Sequence, residues 1–133
     1  MASNLQYSNG TRDAQQQGLI LYAGSGAIIH LYTGTQPVNA NTALSGNTLL
    51  VSLTISGSFG TDSNGTLTLG SVTNGTAVAT GTATFFQITK SDNSTVVMNG
   101  SVGTSDADMV LNTTTINSGE TVSITSGTII RNN

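Results

Sequence analysis

Few side chains in this chain can do acid–base or ligand chemistry: one histidine (His30), six carboxylates and no cysteine. With no thiol to activate, nucleophilic catalysis would have to join His30 to a serine and a carboxylate. Ile29 and Leu31 flank it, so on a strand the imidazole faces the other way, in line with Ile28 and Tyr32. That placement predicts a histidine packed in the fold or lying in an interface, with a Ser-His-Asp triad as the minor reading. In an interface, its titration near neutral pH would make assembly pH-sensitive.

Asp106 and Asp108 lie two apart, a spacing that on a strand puts both carboxylates on one face, as acid–base chemistry or Ca²⁺ binding requires. They fall in Gly103-Thr104-Ser105-Asp106-Ala107-Asp108, and those residue types read first as a solvated turn. Asp62-Ser63-Asn64-Gly65 has the opening of a Ca²⁺ loop, but no acidic residue follows at the distance an EF-hand needs, so it too reads as a turn. Gly24-Ser25-Gly26 is not followed by the Gly-Lys-Ser/Thr of a phosphate loop. No cofactor and no metal is expected, and the chain reads as a non-enzyme.

Six Asn-x-Ser/Thr triplets begin at Asn9, Asn64, Asn74, Asn93, Asn99 and Asn112. With Ser and Thr this common and no secretory leader visible, they reflect composition. A sugar platform on a β-domain needs exposed aromatics. There is no Trp, and Phe85 and Phe86 suit a core better.

The 133 residues suffice for one domain. Charged residues are 7% of them, against about 25% in an ordinary soluble domain. The only cations are Arg12, Lys90 and Arg131, too few for a phosphate-binding stripe or a hold on an anionic bilayer, so neither nucleic acid nor membrane is an expected partner. Thr, Ser, Asn and Gly fill about half the chain. Recurring Thr, Val and Ile in short alternating runs favour strands over disorder. The longest apolar run, Leu19 to Ala23, falls far short of the roughly 20 residues of a membrane span.

These elements must position the candidate residues. Thr11 to Ala23 reads as one short helix, with Thr11 as N-cap, Asp13 in the first turn and Gly24 as the stop. Residues 1–26 then form an N-terminal arm with that helix, and 27–133 a single β-domain. Strands are expected at Ala27–Thr33, Leu49–Ser56, Thr66–Leu69, Gly75–Ala79, Thr82–Thr89, Thr95–Val102, Asp108–Asn112 and Glu120–Ile130. On the last of these Val122, Ile124 and Ile130 share a face. About eight short strands with turn chemistry between them predict an all-β fold, an antiparallel β-sandwich or jelly roll. Long uncharged strands need their edges covered, which points to a chain that works inside an assembly.

Read in order, several segments resemble a family of small virion proteins of tailed bacteriophages. They are His30-Leu31-Tyr32-Thr33-Gly34-Thr35-Gln36-Pro37, Thr48-Leu49-Leu50-Val51-Ser52-Leu53, Gly81-Thr82-Ala83-Thr84-Phe85-Phe86-Gln87-Ile88 and Val97-Met98-Asn99-Gly100-Ser101-Val102. Leu111-Asn112 and Gly119-Glu120-Thr121-Val122-Ser123-Ile124 follow, and Tyr7 to Ala14 resembles the family's N-terminal helix with its single Arg. The resemblance implies a jelly-roll decoration (cement) protein on the outer surface of the capsid, made in the host cytoplasm. It would bridge major capsid protein subunits as a homo-oligomer, a dimer or trimer. It brings no catalytic residues. Arg12 is the matched charged position, and Arg12, His30 and Tyr32 are the candidate interface residues; at His30 the family usually carries Arg or another polar residue. The alternative is a head-fibre, tail-tip or adhesin-like β-domain that binds a host surface or glycan.

Overall fold

The computed structural model describes residues 6–111 and 113–130, with side chains to residue 124. Asn112, Arg131 and the side chain of Ile130, all named above, lie outside that range.

Helix α1 spans Asn9–Ala23. Its N-cap is Ser8, not Thr11: the Ser8 hydroxyl accepts the Thr11 amide at 3.2 Å, and Ser8 itself is extended. Asn9-Gly10 therefore forms the first turn, and Asp13 falls beyond it. At the other end Gly24 adopts φ +72, and its N–H donates to Ile20 O at 3.1 Å. That left-handed stop is where glycine is favoured. Ala23 is buried, Leu19 and Ile20 pack partly against the core, and Leu21 and Tyr22 face outward.

Among the described residues twelve strands follow: β1 Ile28–Tyr32, β2 Leu49–Thr54, β3 Gly60–Ser63, β4 Thr66–Leu69, β5 Gly75–Thr76, β6 Gly81–Thr82, β7 Phe85–Thr89, β8 Val96–Gly103, β9 Met109–Leu111, β10 Thr115–Ile116, β11 Thr121–Val122 and β12 Ile124–Ile130. Eight form one sheet in the order β2-β1-β7-β8-β9-β12-β4-β3, and β10-β6 and β11-β5 are two-stranded ribbons. Compared with the sequence expectation, Thr82–Thr89 divides into β6 and β7, and Glu120–Ile130 into β11 and β12. β3 and β10 are additional.

The pairing is antiparallel except where β8 meets β9, parallel over Val102↔Met109 and Gly103↔Val110. The five residues between them are too few for an ordinary crossover, so the ladder stops after two pairs. The sheet curls until the end of β2 meets the chain leaving β4. Ile55 bridges Val72, Ser56 N–H donates to Ser71 O at 2.7 Å, and Thr73 N–H donates to Thr54 O at 2.8 Å.

The core follows the period-two pattern. Ile29, Leu31, Leu53, Ile55, Phe86 and Ile88 point inward and are at most 2% exposed. Leu50 and Val51 are both buried, because a register shift at Leu31/Tyr32 interrupts the alternation. Phe86 joins the main core, whereas Phe85, also buried, lies outside that cluster and stacks on Tyr32 at 5.5 Å between centroids. No helix among the described residues is long and apolar enough to cross a membrane.

Candidate functional site

Registers across the first four strands of the sheet place Ser52, His30, Gln87 and Asn99 side by side on β2, β1, β7 and β8. This polar row lies on the face opposite Ile29, Ile88 and Leu53. His30 is 5% exposed and Gln87 6%, so the middle of the row is covered, while at its ends Asn99 is partly exposed and Ser52 exposed. His30 Nδ1 lies 3.0 Å from the Ser52 hydroxyl and Nε2 3.1 Å from that of Thr89, itself buried. A neutral imidazole donates to one hydroxyl and accepts from the other. Burial lowers the His30 pKa, because the charged ring would lose water. His30 is thus a packed histidine held by two hydroxyls, and no carboxylate among the described residues is a hydrogen-bond partner to it.

Tyr32 lies on the same face, half-buried between His30, whose ring centroid is 6.3 Å away, and Phe85. Burial raises the pKa of its phenol. Gln87 is not among the candidates read from the sequence, and Asn99 enters among them only as the start of an Asn-x-Ser/Thr triplet. Gln87 interrupts the apolar run Phe85-Phe86-Gln87-Ile88, and that interruption was the available signal. Both amide atoms of Asn99 are buried without a hydrogen-bond partner among the described residues.

Arg12 lies elsewhere, with its side chain against Gly65 in the turn between β3 and β4 and its guanidinium donating to the Asn9 side-chain carbonyl. Asp13 Oδ1 accepts the Gly65 N–H at 2.6 Å, and buried Gln16 donates to Gly65 O at 2.9 Å. Three helix residues therefore grip one glycine. Gly65 has φ +83, and a Cβ there would come within 3.1 Å of Arg12, so no other residue fits comfortably. At the far end of α1, Lys90 Nζ sits 4.0 Å above the Tyr22 ring. The structure does not bring Arg12 together with His30 and Tyr32.

Asp106 and Asp108 precede β9 and do not share a strand face. Exposed Asp106 has φ +51, whereas Asp108 Oδ2 accepts the Ser101 amide at 2.9 Å and its hydroxyl at 3.2 Å. The Asp108 N–H donates back to Ser101 Oγ at 3.1 Å, so this carboxylate pins the short parallel ladder. Asp92 plays a similar part in the β7–β8 turn. The Thr95 hydroxyl and the Thr95 and Ser94 amides hold its pKa down to about 2. Among the described residues no three His, Cys, Asp or Glu side chains gather where a metal ion could sit.

A shallow depression of about 370 Å³ lies over β3 and β4, bordered by Gly60, Thr61, Thr68 and Leu69. Peptide groups, hydroxyls and methyls line it. No protein-family model, curated protein or solved structure matches the chain. What the described surface offers is hydroxyls, amides, scattered apolar side chains and a few isolated charges.

Proposed function

We propose that this chain is a virion structural protein: a decoration protein that cements the outside of a tailed-bacteriophage capsid by bridging major capsid protein subunits. One observation carries the reading. Four of the segments that resemble the virion family, His30–Pro37, Thr48–Leu53, Gly81–Ile88 and Val97–Val102, supply β1, β2, β7 and β8, which are consecutive neighbours in the sheet. Pieces scattered through the sequence thus form one continuous surface, as a shared fold requires. In this reading the curled sheet is a jelly roll, the chain acts as a dimer or trimer, and Arg12, His30 and Tyr32 mark contact regions, His30 indirectly through the packing of its strand.

The test is to add the purified protein to expanded capsids that lack it, and to measure co-sedimentation and the capsids' resistance to heat and chelators. Binding with raised resistance supports the proposal. Failure to bind, with heads equally stable with and without the protein, overturns it. Binding to host cells or glycans instead would assign the domain to a fibre, tail tip or adhesin.

A further inference from the structure

Four Asn-Gly dipeptides occur, at Asn9, Asn64, Asn74 and Asn99. In such a pair the glycine nitrogen, unhindered by a neighbouring Cβ, can attack the asparagine side-chain amide. Asn64-Gly65 is the most singular of the four. It is the two-residue tip of the β3–β4 hairpin, with φ +51 and +83, and Asn64 is exposed. Yet the Gly65 nitrogen, the atom that would attack, has its hydrogen held by the Asp13 carboxylate at 2.6 Å. The Gly65 carbonyl is held by Gln16, and the Arg12 side chain covers the Cα.

We infer that Asn64–Gly65 is a site of spontaneous deamidation that stays closed while α1 is docked and opens when the helix leaves the hairpin. Attack requires the Gly65 nitrogen to lose its proton and the peptide plane to turn toward Asn64 Cγ. A carboxylate bound to that N–H opposes the negative charge on nitrogen, and the grip on both ends of the peptide opposes the rotation. Once released, the deprotonated nitrogen bonds to Cγ, the Cγ–Nδ2 bond breaks, and ammonia leaves with a proton taken from water. The resulting succinimide is opened by water. Cleavage of the new Cγ–N bond leaves an ordinary aspartate in place of Asn64, and cleavage of the original backbone C–N bond leaves isoaspartate. The net change is amide plus water to carboxylate plus ammonium.

Either product blocks return. The aspartate places a second carboxylate in the turn that Asp13 must approach. Isoaspartate adds a carbon to the main chain of a two-residue turn whose twist is set by its length. A transient departure of the helix is thereby converted into a permanent one. The other three pairs lie in different settings: Asn9 opens α1, Asn74 precedes the β5 ribbon, and Asn99 lies within β8, its amide shut away from water.

The experiment incubates the full chain and the Asp13→Ala/Gln16→Ala variant at mildly alkaline pH. Conversion at each asparagine is followed by peptide mass mapping and isoaspartate methylation, and the chain unfolded in urea gives the unprotected rates. Asn64 is expected to stay intact in the native protein over a time in which it converts in urea. In the variant it should convert at close to the unfolded rate while Asn99 stays intact, which shows that the sheet still stands. Asn64 converting in the native protein as fast as in urea, or staying intact in the variant, would overturn the inference. Should the variant also lose protection at Asn99, Asp13→Asn decides: faster conversion at Asn64 supports the closed site, and an unchanged rate refutes it.

Discussion

At the scale of single residues, His30 and Asn99 present opposite cases on one sheet face. His30 is buried with both ring nitrogens at hydroxyls, and its pKa is lowered from 6.5. The unfolded chain therefore takes up a proton at higher pH than the folded one, so stability is full above 6.5 and falls as pH drops through the window below it. Urea midpoints measured from neutral to mildly acidic pH should fall for the native protein, and the slope should flatten in His30→Gln. Equal slopes in the two would show that carboxylates alone set the acid response. Asn99 buries two amide atoms with no partner among the described residues. An unsatisfied buried polar group costs about 1–3 kcal/mol, and Val also suits a strand better than Asn. Asn99→Val is expected to raise the unfolding free energy by about 1 kcal/mol or more, read as a higher urea midpoint at constant m.

At the scale of elements, α1 is under-optimised in its middle. A Cβ added at Gly18 meets nothing within 4 Å, so Gly18→Ala should stabilise by about 0.5–1 kcal/mol through backbone entropy alone. A melting-temperature rise would confirm it; a fall would mean that the helix needs freedom there. The helix and most long strands were legible in the sequence because each has its own signal: Gly24 as a stop, and alternation in Leu49–Ile55 and Val96–Val102. The Ser8 cap was missed because Asn9-Gly10 reads locally as a turn. β3 was missed for the opposite reason. Asp62-Ser63-Asn64-Gly65 is half strand and half turn, and its first two residues are strand only because Leu67 and Thr66 lie opposite them. Residue pairs such as β6, β10 and β11 are too short to carry any period, and long-range partners alone define them. The polar row had a partial signal in His30 and Gln87, but Ser52 and Asn99 join it only through registers that no single strand encodes.

At the scale of the whole molecule, no charged side chain occurs between Asp13 and Asp62, a stretch that includes β1 and β2. The pairings described are backbone ladders, hydroxyls and amides, and among the described residues charge is confined to the helix, Asp62 of β3 and a few turn positions. A surface of this kind attaches through shape and short-range contacts, which salt screens weakly. In the capsid assay, occupancy should change little between low and moderate ionic strength. A steep loss with added salt would point to a charged contact involving Arg12 or Lys90 instead. The seam from Thr54–Ser56 to Ser71–Thr73, with the Val78 N–H donating to Leu50 O at 2.8 Å, covers the free side of β2 without any of the lysines that usually guard an exposed edge.

The place of β12 in the sheet sets an order in time. It lies between β9 and β4, pairing with Met109–Leu111 on one side and Thr66–Thr68 on the other. Without Ile124–Ile130, β4 and β9 would each keep an unpaired edge, and the hairpin clasped by α1 would meet the β2-β1-β7-β8-β9 part through the Ile55–Val72 seam, the Gly26–Gly57 hydrogen bond and the shared core. Such contacts between residues far apart in sequence close late and slowly. The two parts of the sheet therefore stay separate ladders until β12, the last described strand, pairs with both.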